Sequence, residues 1–530
     1  MYSIILSIKC KGVNTMKKEL TWNELLSTNR SRASSAKASK NDGRNAFEKD
    51  YHRIILSASF RRLQDKTQVF PLDQSDFVRT RLTHSLEVSS VARSLGSQVT
   101  NMLANSEYEN IPNYQQSKEI GDLLSCAGLL HDIGNPPFGH YGETTIRNYY
   151  KTALERLTFK DKPLKSYLNK QMEEDLLNFE GNAQVLRLLS KLHYLKDEHG
   201  MNLTYGLLNT LIKYPVNSLL VNPDIDDVRY HKLGYFWAER DLFKAITTDT
   251  NTFINNFDEN DKIDNLLEDS SKVNESMKQL SFAPELRNSV AVRHPLTYLL
   301  EAADDISYRT ADIEDASRKG KISYSDLKNY LTKSSRIGEY EENIIATYTK
   351  AVNKLDECLE DAKKNHEEKS SLYAIQNWLI YIQKILIESI GQTFVDNYQL
   401  IMSGDYKYDL FHNNLAGLIL NVLGDLAYDY VFSSQSIVEL EVAADAIITG
   451  LLDKFVPAAI HFDTEIEQNP VEKRLIALIS DNYRLAYKRE AEGKSEGEKL
   501  YRRLLLVNDY ICGMTDSFAR DLYYKFNGIY

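Results

Sequence analysis

Cysteine is scarce in this chain. Its 530 residues include four, Cys10, Cys126, Cys358 and Cys512, far apart and without a Cys-x-x-Cys pair. That excludes a disulfide framework and a thiolate zinc cluster, and it fits a reducing cytoplasm. No apolar run approaches membrane-spanning length; the stretch around Ile4, Ile5 and Leu6 is far too short. The N-terminus lacks a basic leader and a small-residue cleavage site, so no secretion signal is expected, and Met16, followed by Lys17 and Lys18, is an alternative start to Met1. Alternating strand patterns, 20–50-residue repeats and a phosphate-cradling GxxxxGK[ST] loop are all missing. So is a stripe of interleaved basic and aromatic residues, and with a net charge of −11 the chain is not expected to adhere to nucleic acid through bulk charge.

What is present is helical periodicity. From Tyr340 onward, long segments such as YAIQNWLIYIQKILIESIGQTFV and LEVAADAIITGLLDKFV carry few glycines or prolines, and the expected fold class is all-α.

One stretch organises the rest: CAGLLHDIGNPPFGHYGE, Cys126 to Glu143. Adjacent side chains leave a helix about 100° apart, so His131 and Asp132 converge on one ion only if the backbone beside them is pinned. Asn135-Pro136-Pro137 cannot continue a helix, and Gly134 and Gly139 permit angles that other residues resist. The helix carrying His131 should end there and the chain turn back. An imidazole beside a carboxylate suits a hard or borderline divalent cation, and two ligands do not hold a catalytic ion. His84 is a further candidate, on the stripe that continues through Val88, Val91 and Leu95. Asp304 is another, on the face of Leu300, Tyr308 and Asp312; a carboxylate among apolar positions is costly unless paired or bound to metal. Each residue alone has an ordinary reading: a hydrogen-bonded core histidine, a chance dipeptide, a member of a charge network.

Taken with the words around them (FRRLQDKTQVFPL, RTRLTHSLEV, HDIGNPPFGHYGE, FEGNAQ, KYP, SYRTADIEDA and DYICGMTD), these residues resemble the HD-domain metal-dependent phosphohydrolases. More narrowly, they resemble the deoxyguanosine triphosphate triphosphohydrolases and their dNTPase relatives. The match runs from about Arg44 to the C-terminal end, with gaps. One departure is Asn135, where many family members have histidine.

The resemblance implies a large multi-helix HD-domain phosphohydrolase fold. It implies one divalent ion, Mg2+ or Mn2+, held by His84, His131, Asp132 and Asp304, touching the α-phosphate and acidifying a water. His140, oriented by Glu143, would handle a proton. Gln68 would lie near the sugar 3′-hydroxyl, and Lys213 and Tyr214 on the triphosphate. Tyr308 and Asp312 would hold the deoxyribose: a ring packed on C2′ leaves no room for a 2′-hydroxyl, and a carboxylate accepts from the 3′-hydroxyl. Glu180 and Asn182 would line the pocket. Of the clustered basic residues Arg53, Arg61, Arg62, Lys66, Arg79 and Arg81, most read as a solvated face. Arg81, three residues before His84, is the candidate for triphosphate neutralisation. The expected reaction is water attack at the α-phosphorus of dGTP or another dNTP, releasing a deoxynucleoside and intact triphosphate. The alternatives are another HD-type nucleotide phosphohydrolase or phosphodiesterase, or a non-catalytic dNTP or nucleic-acid sensor. A cytoplasmic homo-oligomer, such as a hexamer, is implied, with dNTPs or single-stranded DNA as effectors and no membrane.

Residues 1–43 should be a mobile segment, with a helix starting near Arg44 behind Asn41 or Asp42. The phosphohydrolase core should span 44–320, opening its last helix at His294-Pro295 and closing it at Arg318-Lys319-Gly320. Within it, the acidic stretch 222–278 should be an insertion or lobe, and 321–530 should be a helical region packed on the core.

Overall fold

The computed structural model describes residues 19–32, 42–68, 79–193, 197–253, 291–365, 368–433 and 435–529. The all-α expectation holds: among these residues the strand content is a two-residue hairpin, Thr158–Phe159 with Lys162–Pro163, plus an isolated bridge between Thr67 and Thr80.

The helices that matter for the site are α1 (Ala46–Ile55), α2 (Arg81–Ala104), α3 (Tyr114–Leu130), α4 (His140–Arg156), α5 (Gly181–Arg187) and α6 (Pro295–Arg318). On the C-terminal side they are α7 (Leu415–Ala427), α8 (Gln435–Ile460) and α9 (Glu496–Cys512). Helices α2 and α3 form the central pair, and α6 crosses α2. The pair is close because Gly128 lies where any Cβ would stand 2.5 Å from the Ser89 Cα, and Ser89 Oγ donates to the Ser125 carbonyl at 2.8 Å. Helix α6 begins and ends as its sequence indicates. His294 caps it, Pro295 takes the first position, and Gly320 beyond Arg318 has φ +70°.

Apolar side chains from Leu20 to Leu522 pack as one continuous core. Two expectations are corrected by this. Residues 19–32, placed in a mobile N-terminal segment, are part of the core: Leu20, Trp22 and Leu25 are buried and Arg30 pairs with Asp50 at 2.5 Å. Residues 1–18 and 33–41 lie outside the described residues. In the acidic stretch 222–278, the described part, 222–253, is no separate lobe, since Leu233, Phe236 and Ile246 are fully buried; 254–278 lies outside the described residues. The cap of α1 is Asn45, not Asn41 or Asp42, with Asn45 and Glu48 closing a reciprocal capping box.

Leu415–Phe432 is long and apolar enough by composition to cross a membrane. Ten of its residues, from Ala416 to Val431, are buried in the protein core, which accounts for its hydropathy.

One buried carboxyl ties distant segments together. Asp175 accepts from Ser218 Oγ (2.6 Å), the Trp237 amide (2.7 Å) and Tyr501 Oη (2.5 Å). Burial outweighs these donors and pushes its pKa up to about 7. The folded protein therefore keeps a proton that the unfolded chain releases from about pH 4 upward. The associated stability is complete below the unfolded value and is lost as pH rises through about 7. In Asp175→Asn the amide donates to Ser218 Oγ and the proton is gone. Its melting temperature, relative to wild type, should rise from about pH 5 to pH 8. Parallel profiles in calorimetry would mean that Asp175 is already ionised in the folded state.

Candidate functional site

His131 is the residue at which α3 ends. Its Nδ1 donates to the Gly128 carbonyl at 2.8 Å, which leaves the lone pair on Nε2. The turn that follows is built in three ways. Phe138 and Gly139 both take left-handed backbone angles, φ +63° and +60°. Gly134 is needed for closeness instead, because a Cβ there would strike the Val185 amide within α5. The turn is also held from a distance. Asp516 accepts from the Phe138 amide at 3.0 Å and the Thr67 amide at 2.9 Å, and Lys66 bridges the carbonyls of Asn135 and Cys512, 2.6 Å from each. The DYICGMTD segment thus braces the turn and the backbone leading to Gln68.

Three of the four expected ligands converge. Donor atoms of His84, His131 and Asp304 all lie within 4.8 Å of one another. Asp304 Oδ1 is 3.1 Å from His84 Nε2 and 3.3 Å from His131 Nε2. Asp132 stands beside them, with Oδ2 3.6 Å from His131 Nε2. Its carboxylate is paired with Arg81, and its Oδ1 accepts from Asn135 Nδ2 at 2.7 Å. Asn135 therefore steadies Asp132.

The electrostatics fit a cation. Burial opposes ionisation of Asp304, yet His131 and Lys213 hold its carboxyl well below the usual range. Burial likewise disfavours charge on His131, but Asp304 and Asp132 raise its pKa. Asp132 is also held low, chiefly by Arg81 against its burial. The buried His131 Nε2 has no hydrogen-bond partner. Two imidazole nitrogens and a carboxylate within 4.8 Å of one another, with a second carboxylate beside them, are the donors a divalent ion takes.

Two cavities share this point, with Asp132, His140, Asp304 and Asp305 common to both. The first, about 350 Å³, is walled by Gln68, Arg81, Tyr141, Tyr308, Phe432 and one face of α8. The second, about 300 Å³, is walled by Lys213, Tyr214, His231, Lys232, Asn182 and Glu143. Lys213 Nζ lies 3.0 Å from Asp304 Oδ2. Arg81 alone of the six clustered basic residues reaches either cavity. Arg79 is tied to Glu87, Glu314 and Asp315, Arg53 to Asp50, and Lys66 to the two carbonyls just named.

His140 opens α4 with a largely exposed side chain, 78% accessible. Its Nδ1 is 2.8 Å from Glu143 Oε2, while Glu143 Oε1 accepts from the Gly181 amide at 2.7 Å. Burial raises the Glu143 pKa, but His140 outweighs it and keeps the group ionised. Asp312 is placed differently from Tyr308. It is buried, lines neither cavity and interacts with the Tyr308 side chain, and burial drives its carboxyl pKa up. A contact from Asp312 to a sugar would pass through Tyr308.

The sequence reading gave no role to Lys232 or Arg147, both of which pair with Glu180, nor to Phe432 and Glu441 in the wall of the first cavity. Phe432 and Glu441 stand more than a hundred positions beyond Asp304, in helices whose own pattern reads only as core.

A family model described as the HD domain matches residues 81–205. Over 514 residues, 96% of this chain and 100% of the relative, the sequence is 43% identical to a deoxyguanosinetriphosphate triphosphohydrolase-like protein of Listeria monocytogenes. A protein of the same description from Pseudomonas aeruginosa is 31% identical over 92% of this chain and 94% of its own length. The chain belongs to the deoxyguanosinetriphosphate triphosphohydrolase-like family. A deoxyguanosinetriphosphate triphosphohydrolase of Yersinia pseudotuberculosis is also similar, at 30% identity over 90% of this chain and 92% of the relative. In this dGTPase-like chain, the HD-domain match contains His84, His131, Asp132, His140 and Glu143. Asp304 and Tyr308 lie beyond it and reach the site through the crossing of α6 over α2.

Proposed function

We propose that this protein hydrolyses dGTP, alone or among other dNTPs, to deoxynucleoside and inorganic triphosphate. The observation that carries the reading is a His84/His131/Asp304 cluster at the junction of two cavities, one partly apolar and one polar with lysines. A nucleotide has the same two halves. His84, His131, Asp132 and Asp304 would hold one Mg2+ or Mn2+, which when bound neutralises phosphate charge and makes a water more acidic.

The chain's own residues do the rest. Lys213, Tyr214 and Lys232 receive the polyphosphate in the second cavity, and Arg81 adds positive charge beside the α-phosphate, since phosphoryl transfer needs charge neutralisation and alignment above covalent help. Tyr308 packs on the sugar at C2′ and excludes a 2′-hydroxyl, while Gln68 lies near the 3′-hydroxyl. Asp312 acts by fixing the Tyr308 hydroxyl. His140, oriented by Glu143 and exposed to the cavity, moves the proton, either from the attacking water or to the leaving nucleoside oxygen. A cytoplasmic homo-oligomer, with dNTP or single-stranded DNA effectors, accompanies this reading through the family alone.

The test is product analysis. Incubation with dGTP and Mn2+ or Mg2+ should release tripolyphosphate and deoxyguanosine in equal amounts. Pyrophosphate or orthophosphate as the first product would place the protein with another HD-type phosphohydrolase, and no turnover with any dNTP would favour a sensor.

A further inference from the structure

We infer that a third cavity, apart from the two at the cation cluster, binds a small anion with a flat apolar body, and that its occupant steadies the turn between Asp132 and His140. This cavity, about 590 Å³, shares no wall residue with the other two. Its size is that of a small-molecule pocket. Leu56, Leu478 and Phe518, three large apolar side chains left open to solvent, line it, and Leu192 and Met514 are its buried apolar members. Apolar groups exposed together around a concave wall mark a ligand site rather than a solvated face. Tyr483 and Tyr510 join Phe518 in giving the wall aromatic faces, which favour a planar occupant.

Charge decides the class of ligand. The chain carries a net −11, and carboxylates line both other cavities. Among the described residues this wall holds two arginines, Arg61 and Arg62, and no aspartate or glutamate. Arg61 donates to the Leu56 carbonyl at 2.8 Å, and Arg62 interacts with the Tyr483 side chain; neither forms an ion pair among the described residues. His193 completes the polar side. Its Nδ1 is 3.4 Å from Ser59 Oγ, and its buried Nε2 has no hydrogen-bond partner. Burial and the two arginines push the imidazole pKa down to about 4, so the ring is neutral at pH 7. With Ser59 donating to Nδ1, Nε2 carries the ring proton and is free to give it to a ligand oxygen. Arginine forks suit sulfonate, phosphate or carboxylate oxygens. A nucleoside triphosphate is not the match. It carries more charge than two guanidiniums neutralise, and among the described residues this wall has no lysine and no part of the metal-binding cluster. The cavity also touches the brace of the catalytic turn. Gly513, Met514 and Thr515 line it. They lie between Cys512, whose carbonyl takes Lys66, and Asp516, which holds the Phe138 and Thr67 amides. A ligand packed on these three residues therefore bears on that turn.

Calorimetric titration of the full-length protein with 1-naphthalenesulfonate, a flat monoanion, tests the site whatever reaction the protein catalyses. One molecule should bind per chain. 1-Naphthol, the same body without the charge, should bind at least about tenfold more weakly, the worth of a hydrogen bond to a charged group. The Arg61→Gln, Arg62→Gln double variant should lose at least about tenfold in affinity for the sulfonate; both side chains are exposed, so the fold stays intact. Inorganic tripolyphosphate should not displace the probe. Saturating probe should slow amide hydrogen exchange of the peptide containing Phe138 by at least about threefold in wild type and not in the double variant, while the Thr158–Pro163 hairpin is unchanged. Equal binding by wild type and double variant would put the probe elsewhere and overturn the proposal. So would 1-naphthol binding as tightly as the sulfonate, which would leave only an apolar patch, or displacement by tripolyphosphate, which would give the arginines to a polyphosphate. Binding without any change at Phe138 would overturn the link to the turn.

Discussion

His131→Ala should bind no stoichiometric Mn2+ or Mg2+ and should lose triphosphate release by roughly 10³-fold or more, the equivalent of the several kcal/mol that a bound cation contributes to phosphate charge stabilisation. The substitution removes the imidazole whose Nε2 lies 3.3 Å from Asp304. It leaves Asp304 facing Lys213, so the cavity keeps a neutralised pair instead of a cation site. The fold should survive. His131 stands at the end of α3, and its one hydrogen bond is to the Gly128 carbonyl, a loss of about 1 kcal/mol. Metal content by elemental analysis, helix content by circular dichroism and product by phosphate chromatography read these effects separately. A His131→Ala protein that keeps full metal and full activity would remove the cation from the mechanism altogether.

His140→Ala is expected to behave in the opposite way towards metal. Turnover should fall about 10²- to 10⁴-fold, the range for losing a positioned proton carrier, while bound metal and melting temperature stay near wild type. The reason is geometric. His140 is exposed and bonds only to Glu143, so its removal opens neither the core nor the ligand cluster. Glu143 acts through His140 and also receives the Gly181 amide; Glu143→Gln should thus cost activity less steeply and cost some stability as well. A His140→Ala enzyme at wild-type rate would assign the proton to water and leave the His140–Glu143 pair a structural one.

The two variants also divide what can be read along the chain from what cannot. His131-Asp132 before a double proline announced a helix end and a turn, because those constraints act on neighbouring backbone. The ends of the Asp304 helix were equally readable, since a proline start and a glycine stop are local chemistry. Gly134 was legible as a special position but for the wrong reason: its glycine is required by the approach of α5, a contact with a segment some fifty residues away. Phe138, whose backbone is left-handed, gave no sign of it. The N-terminal segment misled because Ser- and Lys-rich composition resembles a linker, while Leu20, Trp22 and Leu25 inside it are core residues.

By itself, then, the sequence determined the helical class and the family, and it singled out the His84, His131 and Asp304 side chains that the fold brings together, because motif words and capping signals are written in adjacent residues. Only the tertiary structure decided that Asp132 leans on Arg81 and Asn135, that Asp312 is buried outside both cavities, that Asp516 braces the turn, and that Glu441 faces the first cavity. Those relations depend on which helices cross, and crossing is set by shape and burial summed over the whole core, a quantity that no local stretch of residues contains.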